Sequence, residues 1–289
     1  MQGELTQIIS NLFPNSEIIR TWYPIGGVSA QVTAVEVKLN DASTKQVLIR
    51  QHPTAKKEFI LLKKLYELGL PVQKPYTYDE SLKLLPAPYI VLEYVEGNTQ
   101  FAPQNMQDFI KRTVETLIQV HHSDTSHLKF LQQQAMHLDR ESFDDLSEQI
   151  LDTLKNSNLI AQNNSVLLHG DYWIGNLLWR DNALVAVIDW EDAAIGDPLY
   201  DLSNTRFEIL WAFGEDVMQQ FTADYQAKMP HLSYELLPYY DLYATLKTAP
   251  HIDEYANWSD YGRDDITPNL IHKRYRWFVS EALKKVDKP

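Results

Sequence analysis

Val166-Leu167-Leu168-His169-Gly170-Asp171-Tyr172-Trp173-Ile174-Gly175-Asn176-Leu177-Leu178-Trp179, followed closely by Leu184-Val185-Ala186-Val187-Ile188-Asp189-Trp190-Glu191, decides the reading of this chain. Short apolar runs rich in Val, Leu and Ile read as buried strands. They end in, or flank, three polar side chains: Asp171, Asn176 and Asp189. A buried carboxylate needs a partner, because an unpaired charge in an apolar interior is costly. A divalent cation bound to phosphate is such a partner. Asp171 and Asn176 stand five apart on a turn, so both can point into one cleft. A carboxylate there can accept a hydroxyl proton, and an amide oxygen suits Mg²⁺, which prefers hard oxygen ligands. Asp189 can be a second oxygen ligand. This set suits phosphoryl transfer, in which catalysis is mostly positioning and charge neutralisation.

Outward from this stretch the pattern changes on each side. Upstream, Leu5, Ile8, Ile9 and Leu12 predict a helix over 3–13, ended by Pro14. Extended runs follow at 18–23, 32–39 and 46–51, with Val35, Val37 and Leu39 alternating with Glu36 and Lys38. The turn residues Asn40-Asp41-Ala42-Ser43 make consecutive antiparallel strands of these runs. Gly26, Gly27 and Ser29 sit between the first two strands, where exposed backbone N–H groups can lie over phosphates; an ordinary hairpin is an equally good reading. A helix is predicted over 55–68 with Phe59, Leu62 and Leu65/Tyr66 inward, then strands at 76–79 and 89–94. After Gly97 the pattern is helical: 104–121, 140–155, 214–228, 235–248 and 269–286, with Asp197-Pro198 as the cap and first residue of another helix. The fold class is therefore α+β and two-lobed, with lobes 1–96 and 97–289.

Composition bounds the function. With 289 residues and 44% hydrophobic content the chain can bury a substantial core. The net charge of −13 argues against a nucleic-acid partner and suits solubility, a cationic substrate or Mg²⁺ loading. No run of about 18 apolar residues predicts a membrane span. There is no cysteine, which excludes disulfides and thiolate metal sites, and no secretory leader pattern is visible. A cytoplasmic location is the simplest expectation.

These residues resemble a known family. His169-Gly170-Asp171-x4-Asn176, then Ile188-Asp189-Trp190-Glu191 and Gly196-Asp197-Pro198-Leu199-Tyr200-Asp201, look like the aminoglycoside phosphotransferase and choline kinase-like family, relatives of the protein kinases. The short distance from Asp189 to this last run leaves no room for a protein-kinase activation segment. The resemblance spans nearly the whole chain. It implies a protein kinase-like fold, with an antiparallel N-lobe sheet carrying one helix and a mostly helical C-lobe. It implies ATP or GTP with Mg²⁺ as cofactors and a small molecule as hydroxyl acceptor. By the same resemblance Asp171 is the base, and Asn176 and Asp189 bind the metal. Gly26, Gly27 and Ser29 cover the nucleotide, Arg50 contacts its phosphates, Glu58 positions Arg50, and the backbone of Glu93, Tyr94 and Val95 holds adenine. Several departures stand out: Arg50 where protein kinases have lysine, an incomplete glycine loop, and Trp173-Ile174 where many relatives have His-Pro.

Other residues are expected in supporting parts. His169 is expected to bond backbone near the loop, and Asp197 and Asp201 to cap and brace. Trp173, Glu191, Asp192, Tyr255, Trp258 and Asp260 are candidate acceptor contacts, since acids and aromatics together can hold a cation. A solvated loop with aromatic anchors explains the last three equally well. The rival functions are a metal-dependent hydrolase, which would gather more histidines in ligand spacing than this chain does, and a nucleotide-binding regulator without catalysis, which would have no use for an intact base and metal set.

Overall fold

The computed structural model describes residues 2–24, 31–139, 141–157, 159–248, 252 and 258–286. The chain divides into two units. One comprises Met1–Gly97 with Val185–Glu191, the other Asn98–Leu184 with Asp192–Pro289. The contiguous division expected from the sequence, 1–96 and 97–289, therefore needs a correction. The segment Val185–Glu191 joins the first unit because Val187 N–H donates to the Pro71 carbonyl at 2.7 Å and Val187 bridges Val72.

The first unit begins with α1 (Gln2–Leu12), then β1 (Glu17–Trp22), β2 (Gln31–Lys38), β3 (Thr44–Gln51), α2 (Ala55–Glu67), β4 (Pro75–Asp79) and β5 (Tyr89–Glu93). The strands form one antiparallel sheet in the order β1-β2-β3-β5-β4. Leu5, Ile8 and Ile9 of α1 pack on Val35, Val37, Val47, Ile49 and Val91 of one sheet face. Side chains alternate along a strand, so Arg50, next to Ile49, points to the opposite face. Helix α2 buries Ala55, Glu58, Leu61, Leu62 and Leu65, while Phe59 is half-buried and Tyr66 exposed. The expected inward face of Phe59, Leu62 and Leu65/Tyr66 is thus rotated. Its centre is the charged Glu58, 2% exposed, drawn inward by its pairing with Arg50.

In the second unit α3 (Met106–His121) and α4 (Asp145–Asn156) precede four short strands. These are β6 (Val166–Leu168), β7 (Leu177–Arg180), β8 (Ala183–Val187) and β9 (Ala194–Gly196), with β8 running on into the first unit. Strand β6 pairs with β9, and β7 with β8 across a turn whose Asp181 and Asn182 both have positive φ, 50° and 59°. Two positive-φ residues in succession are the mark of a tight hairpin, and Asp and Asn tolerate it best. Helices α5 (Leu199–Phe213), α6 (Glu215–Lys228), α7 (Leu237–Thr248) and α8 (Pro268–Val286) complete it. Helix α5 is buried on nearly every face, as a central helix must be. Among the described residues no helix is long and apolar enough to cross a membrane.

Candidate active site

In the first unit the site is a charge cluster built on β3. Arg50, 9% exposed, places Nη1 2.9 Å from Glu58 Oε1, and Nη2 2.6 Å from Asp189 Oδ1 and 3.0 Å from Glu191 Oε2. Burial pulls the guanidinium pKa down, but Glu58, then Asp189 and Glu191, outweigh it and hold the group above its ordinary value. His52 Nε2 lies 2.7 Å from Glu58 Oε2. Glu58 thus lies between Arg50 and His52. Glu191, a candidate acceptor contact, instead directs its carboxylate to Arg50. Asp189 has φ of +66°, an uncommon backbone state for a residue with a Cβ, and one that clusters at functional sites.

The segment 93–95 is partly committed to the sheet. The Glu93 carbonyl accepts from Gln73 Nε2 at 2.9 Å, Glu93 N–H donates to Lys74 O, and Tyr94 N–H donates to Gln46 O at 3.1 Å. Among the described residues Val95 N–H makes no such bond. Gly26, Gly27 and Ser29 lie outside the described residues, as does Tyr255.

In the second unit the site is the loop leaving β6. Asp201, on the first turn of α5 and fully buried, accepts from His169 N–H at 2.7 Å and Gly170 N–H at 2.9 Å, and its Oδ2 lies 3.3 Å from His121 Nε2. His121 Nδ1 is 2.7 Å from the Tyr225 hydroxyl, which fixes the ring between a hydroxyl and a carboxylate. His169 Nδ1 accepts from Asp171 N–H at 3.2 Å, the backbone role expected of it. Gly170 has φ of +84°, and a Cβ there would stand 2.3 Å from the Asp192 carbonyl oxygen. Only glycine fits, which is why no arginine stands at this position.

Asp171 is half-buried at the end of this braced loop. Asn176, on a single 3-10 turn (Ile174–Asn176), donates through Nδ2 to the Asp171 carbonyl and to Asp171 Oδ2, each at 3.0 Å. That orientation leaves the Asn176 amide oxygen as the end available to a cation. Among the described residues no three histidine or carboxylate side chains gather to hold a metal. An amide oxygen on Asn176 and a carboxylate on Asp189 are hard donors of the kind magnesium takes alongside waters and phosphate oxygens.

Two residues near Asp171 were not anticipated. Lys247 of α7 donates to the Gly170 carbonyl at 3.0 Å and lies 3.7 Å from Asp171 Oδ1 and 3.6 Å from Asp192 Oδ2. Burial lowers its pKa, but Tyr200, Asp171, Asp192 and Asp201 outweigh this and raise it. Glu208 of α5 is pushed up to about 8, first by its own burial and then by Asp171. No local motif could have flagged either one, since Lys247 is 77 residues from Gly170.

One aromatic candidate, Trp258, needs correcting. Trp258 is 4% exposed, buried edge-to-face against Phe101 at 5.6 Å, so its ring cannot offer a face to a cation. Trp173 is half-buried over Gly175, where a Cβ would meet its ring at 2.2 Å, and lies 6.1 Å from Phe101. It packs. Asp260 has its backbone in a 3-10 turn (Ser259–Tyr261), and its side chain lies outside the described residues. Tyr261 stacks on Phe101 at 4.2 Å and lines, with Asn98, Gln100, Gln104 and Asn182, an uncharged recess of about 570 Å³.

Comparison with known proteins places this geometry. The profile of the phosphotransferase enzyme family matches residues 25–234. Among curated proteins, human acyl-CoA dehydrogenase family member 11 is 26% identical over 212 residues, 64% of this chain and 26% of that protein. Mouse acyl-CoA dehydrogenase family member 10 is 21% identical over 250 residues, 75% of this chain and 23% of that protein. This chain therefore spans about a quarter of the length of the curated relatives it matches. Among solved structures, a candidate aminoglycoside phosphotransferase of Ralstonia eutropha superimposes with a TM-score of 0.70 at 15% identity, over 99% of this chain and 98% of that one. A thermostable aminoglycoside phosphotransferase APH(4)-Ia variant, in a ternary complex with ADP and hygromycin B, gives 0.65 at 17% identity, over 98% and 99%. At such identities the likeness is one of fold: a protein kinase-like α+β architecture, with an antiparallel sheet followed by a largely helical half.

Proposed function

Because this chain belongs to the phosphotransferase enzyme family, we propose that it moves the γ-phosphate of ATP, or of GTP, to a hydroxyl group of a small molecule. The observation that carries this reading is the double hold on Asp171. Its loop is bolted through two peptide N–H groups to the buried Asp201, and its carboxylate is oriented by Asn176. A carboxylate fixed this way is poised to orient an acceptor hydroxyl and take its proton as the oxygen attacks phosphorus. General-base action of this kind contributes about 10²- to 10⁴-fold in rate.

The remaining roles follow from charge. In the first unit three carboxylates face one guanidinium, so the Arg50 cluster carries excess negative charge that a divalent cation would relieve. Asn176 and Asp189 are proposed as the protein's oxygen donors to Mg²⁺, which when bound would neutralise charge on the phosphates. Arg50, kept charged and aimed by Glu58, is proposed to face the phosphates, and the backbone at Val95 to meet the base of the nucleotide.

The test is nucleotide consumption against a panel of hydroxyl acceptors with Mg²⁺ present. The panel should hold aminoglycosides, choline, homoserine and sugars. It should also hold hydroxylated acyl-CoA thioesters, because the curated relatives carry an acyl-CoA dehydrogenase name. Asp171→Asn should abolish turnover and leave nucleotide affinity within about twofold, since it removes the base and keeps the shape. Turnover near that of the wild type in this variant would refute the base assignment.

A further inference from the structure

The sharpest unassigned feature of the second unit is Lys247, in the last turn of α7. It is flanked by buried Thr245 and Leu246, so the helix carries it inward, and its own side chain is 34% exposed. Its ammonium has three N–H bonds to give, and three oxygens surround it: the Gly170 carbonyl at 3.0 Å, Asp192 Oδ2 at 3.6 Å and Asp171 Oδ1 at 3.7 Å. The two carboxylate oxygens of Asp171 therefore have different neighbours. Asn176 Nδ2 meets Oδ2, and Lys247 meets Oδ1. The Gly170 peptide is likewise held at both ends, its N–H by Asp201 and its carbonyl by Lys247 and, at 3.4 Å, by Asn204 Nδ2.

We propose that Lys247 is a positioning residue for phosphoryl transfer. It sets the rotamer of Asp171 and keeps that carboxylate from being pushed aside by Asp192. The claim rests on Asp171 being the base, as proposed above. The physical argument is one of like charges. Asp171 and Asp192 converge from two segments of the second unit, and Lys247 is the cation found between them. Without it the electrostatically preferred rotamer of Asp171 points away from its neighbours. A displacement of about 1 Å at a reacting group can cost roughly 10²-fold in rate.

The experiment compares Lys247→Met, Lys247→Gln and Lys247→Arg with the wild type in three readouts: steady-state kinetics on an acceptor the wild type uses, unfolding midpoint, and amide exchange of residues 169–176. Expected for Met and Gln is a fall in kcat of roughly 10²-fold with KM for the nucleotide within about twofold, and faster exchange across 169–176. Arg should restore most of kcat. Glutamine keeps a donor for the Gly170 carbonyl without the charge, so wild-type kcat in that variant would overturn the proposal. So would a lowered unfolding midpoint with kcat per folded molecule unchanged, which marks a merely structural lysine. The exchange readout needs no turnover. If the wild type phosphorylates no acceptor, the transferase reading fails and the part of Lys247 in phosphoryl transfer falls with it; unchanged exchange at 169–176 in the Met variant separately overturns the claim that Lys247 holds the Asp171 loop. Should the Met variant not fold, the Gln and Arg pair decides.

Discussion

Asp201→Asn should weaken the second unit although the change replaces one atom by another of similar size. In the wild type, Oδ2 takes His169 N–H at 2.7 Å and faces His121 Nε2 at 3.3 Å, while Oδ1 takes Gly170 N–H at 2.9 Å. Both peptide neighbours, one on each oxygen, are donors. An asparagine must turn its NH₂ toward one side or the other, so at least one peptide N–H meets another donor. The site is 0% exposed, so bulk solvent does not replace the lost partner. Losing a bond to a charged acceptor costs about 1.5–3 kcal/mol, and an unmade buried N–H a further 1–3 kcal/mol. Relief from burying a carboxylate offsets part of this, leaving about 2–4 kcal/mol. Urea unfolding followed by tryptophan fluorescence measures it, as a lower midpoint at unchanged slope. The pH dependence is a second check. Burial pushes the Asp201 pKa up, but His121 and then His169 outweigh it and hold it below the usual 3.8. A depressed carboxylate stabilises the fold above its unfolded value, and that contribution is lost as pH falls through the folded value. The gap between wild type and variant should therefore be full at pH 7 and close below 3.8. A difference under about 0.5 kcal/mol at pH 7 would refute the clamp.

Three further outcomes are expected. Gly170→Ala should destabilise the protein by about 2 kcal/mol or more, since φ is +84° and the new Cβ would stand 2.3 Å from the Asp192 carbonyl; thermal unfolding checks it. Asp189→Ala should remove the Mg²⁺ dependence of nucleotide binding, read by calorimetry with and without chelator, and an unchanged dependence would move the metal elsewhere. Glu208 is raised from 4.5 to about 8, so the folded state holds an extra proton between those values and stability falls as pH rises through that window. Glu208→Gln should flatten that fall, by at most about 1.4 kcal/mol per pH unit and by less for a half-buried group, as measured by denaturation from pH 5 to 9.

Much of the fold was legible because it is written in short-range periodicity. Val35 and Val37 alternate with charged residues and form a strand buried on one side. Proline and glycine mark helix ends within a residue or two of where they fall. Asp171 and Asn176 were legible because five residues separate them and a single turn connects them. The face of α2 was not, because Glu58 counts as polar until Arg50 is known to lie beneath it. The burial of Trp258 was not, because an aromatic in an acidic loop reads alike whether it faces solvent or Phe101.

Local pattern was thus enough to assign strands, helices and the three residues proposed for chemistry, since spacing along a chain controls which side chains share a turn. The electrostatic setting of those residues came from folding alone. Lys247 reaches Asp171 across 76 residues, Asp201 clamps a loop some thirty residues upstream, and Val185–Glu191 leaves its sequence neighbours to join Arg50. Charge acts through space, with a strength set by distance and burial, and neither quantity can be read from position along the chain.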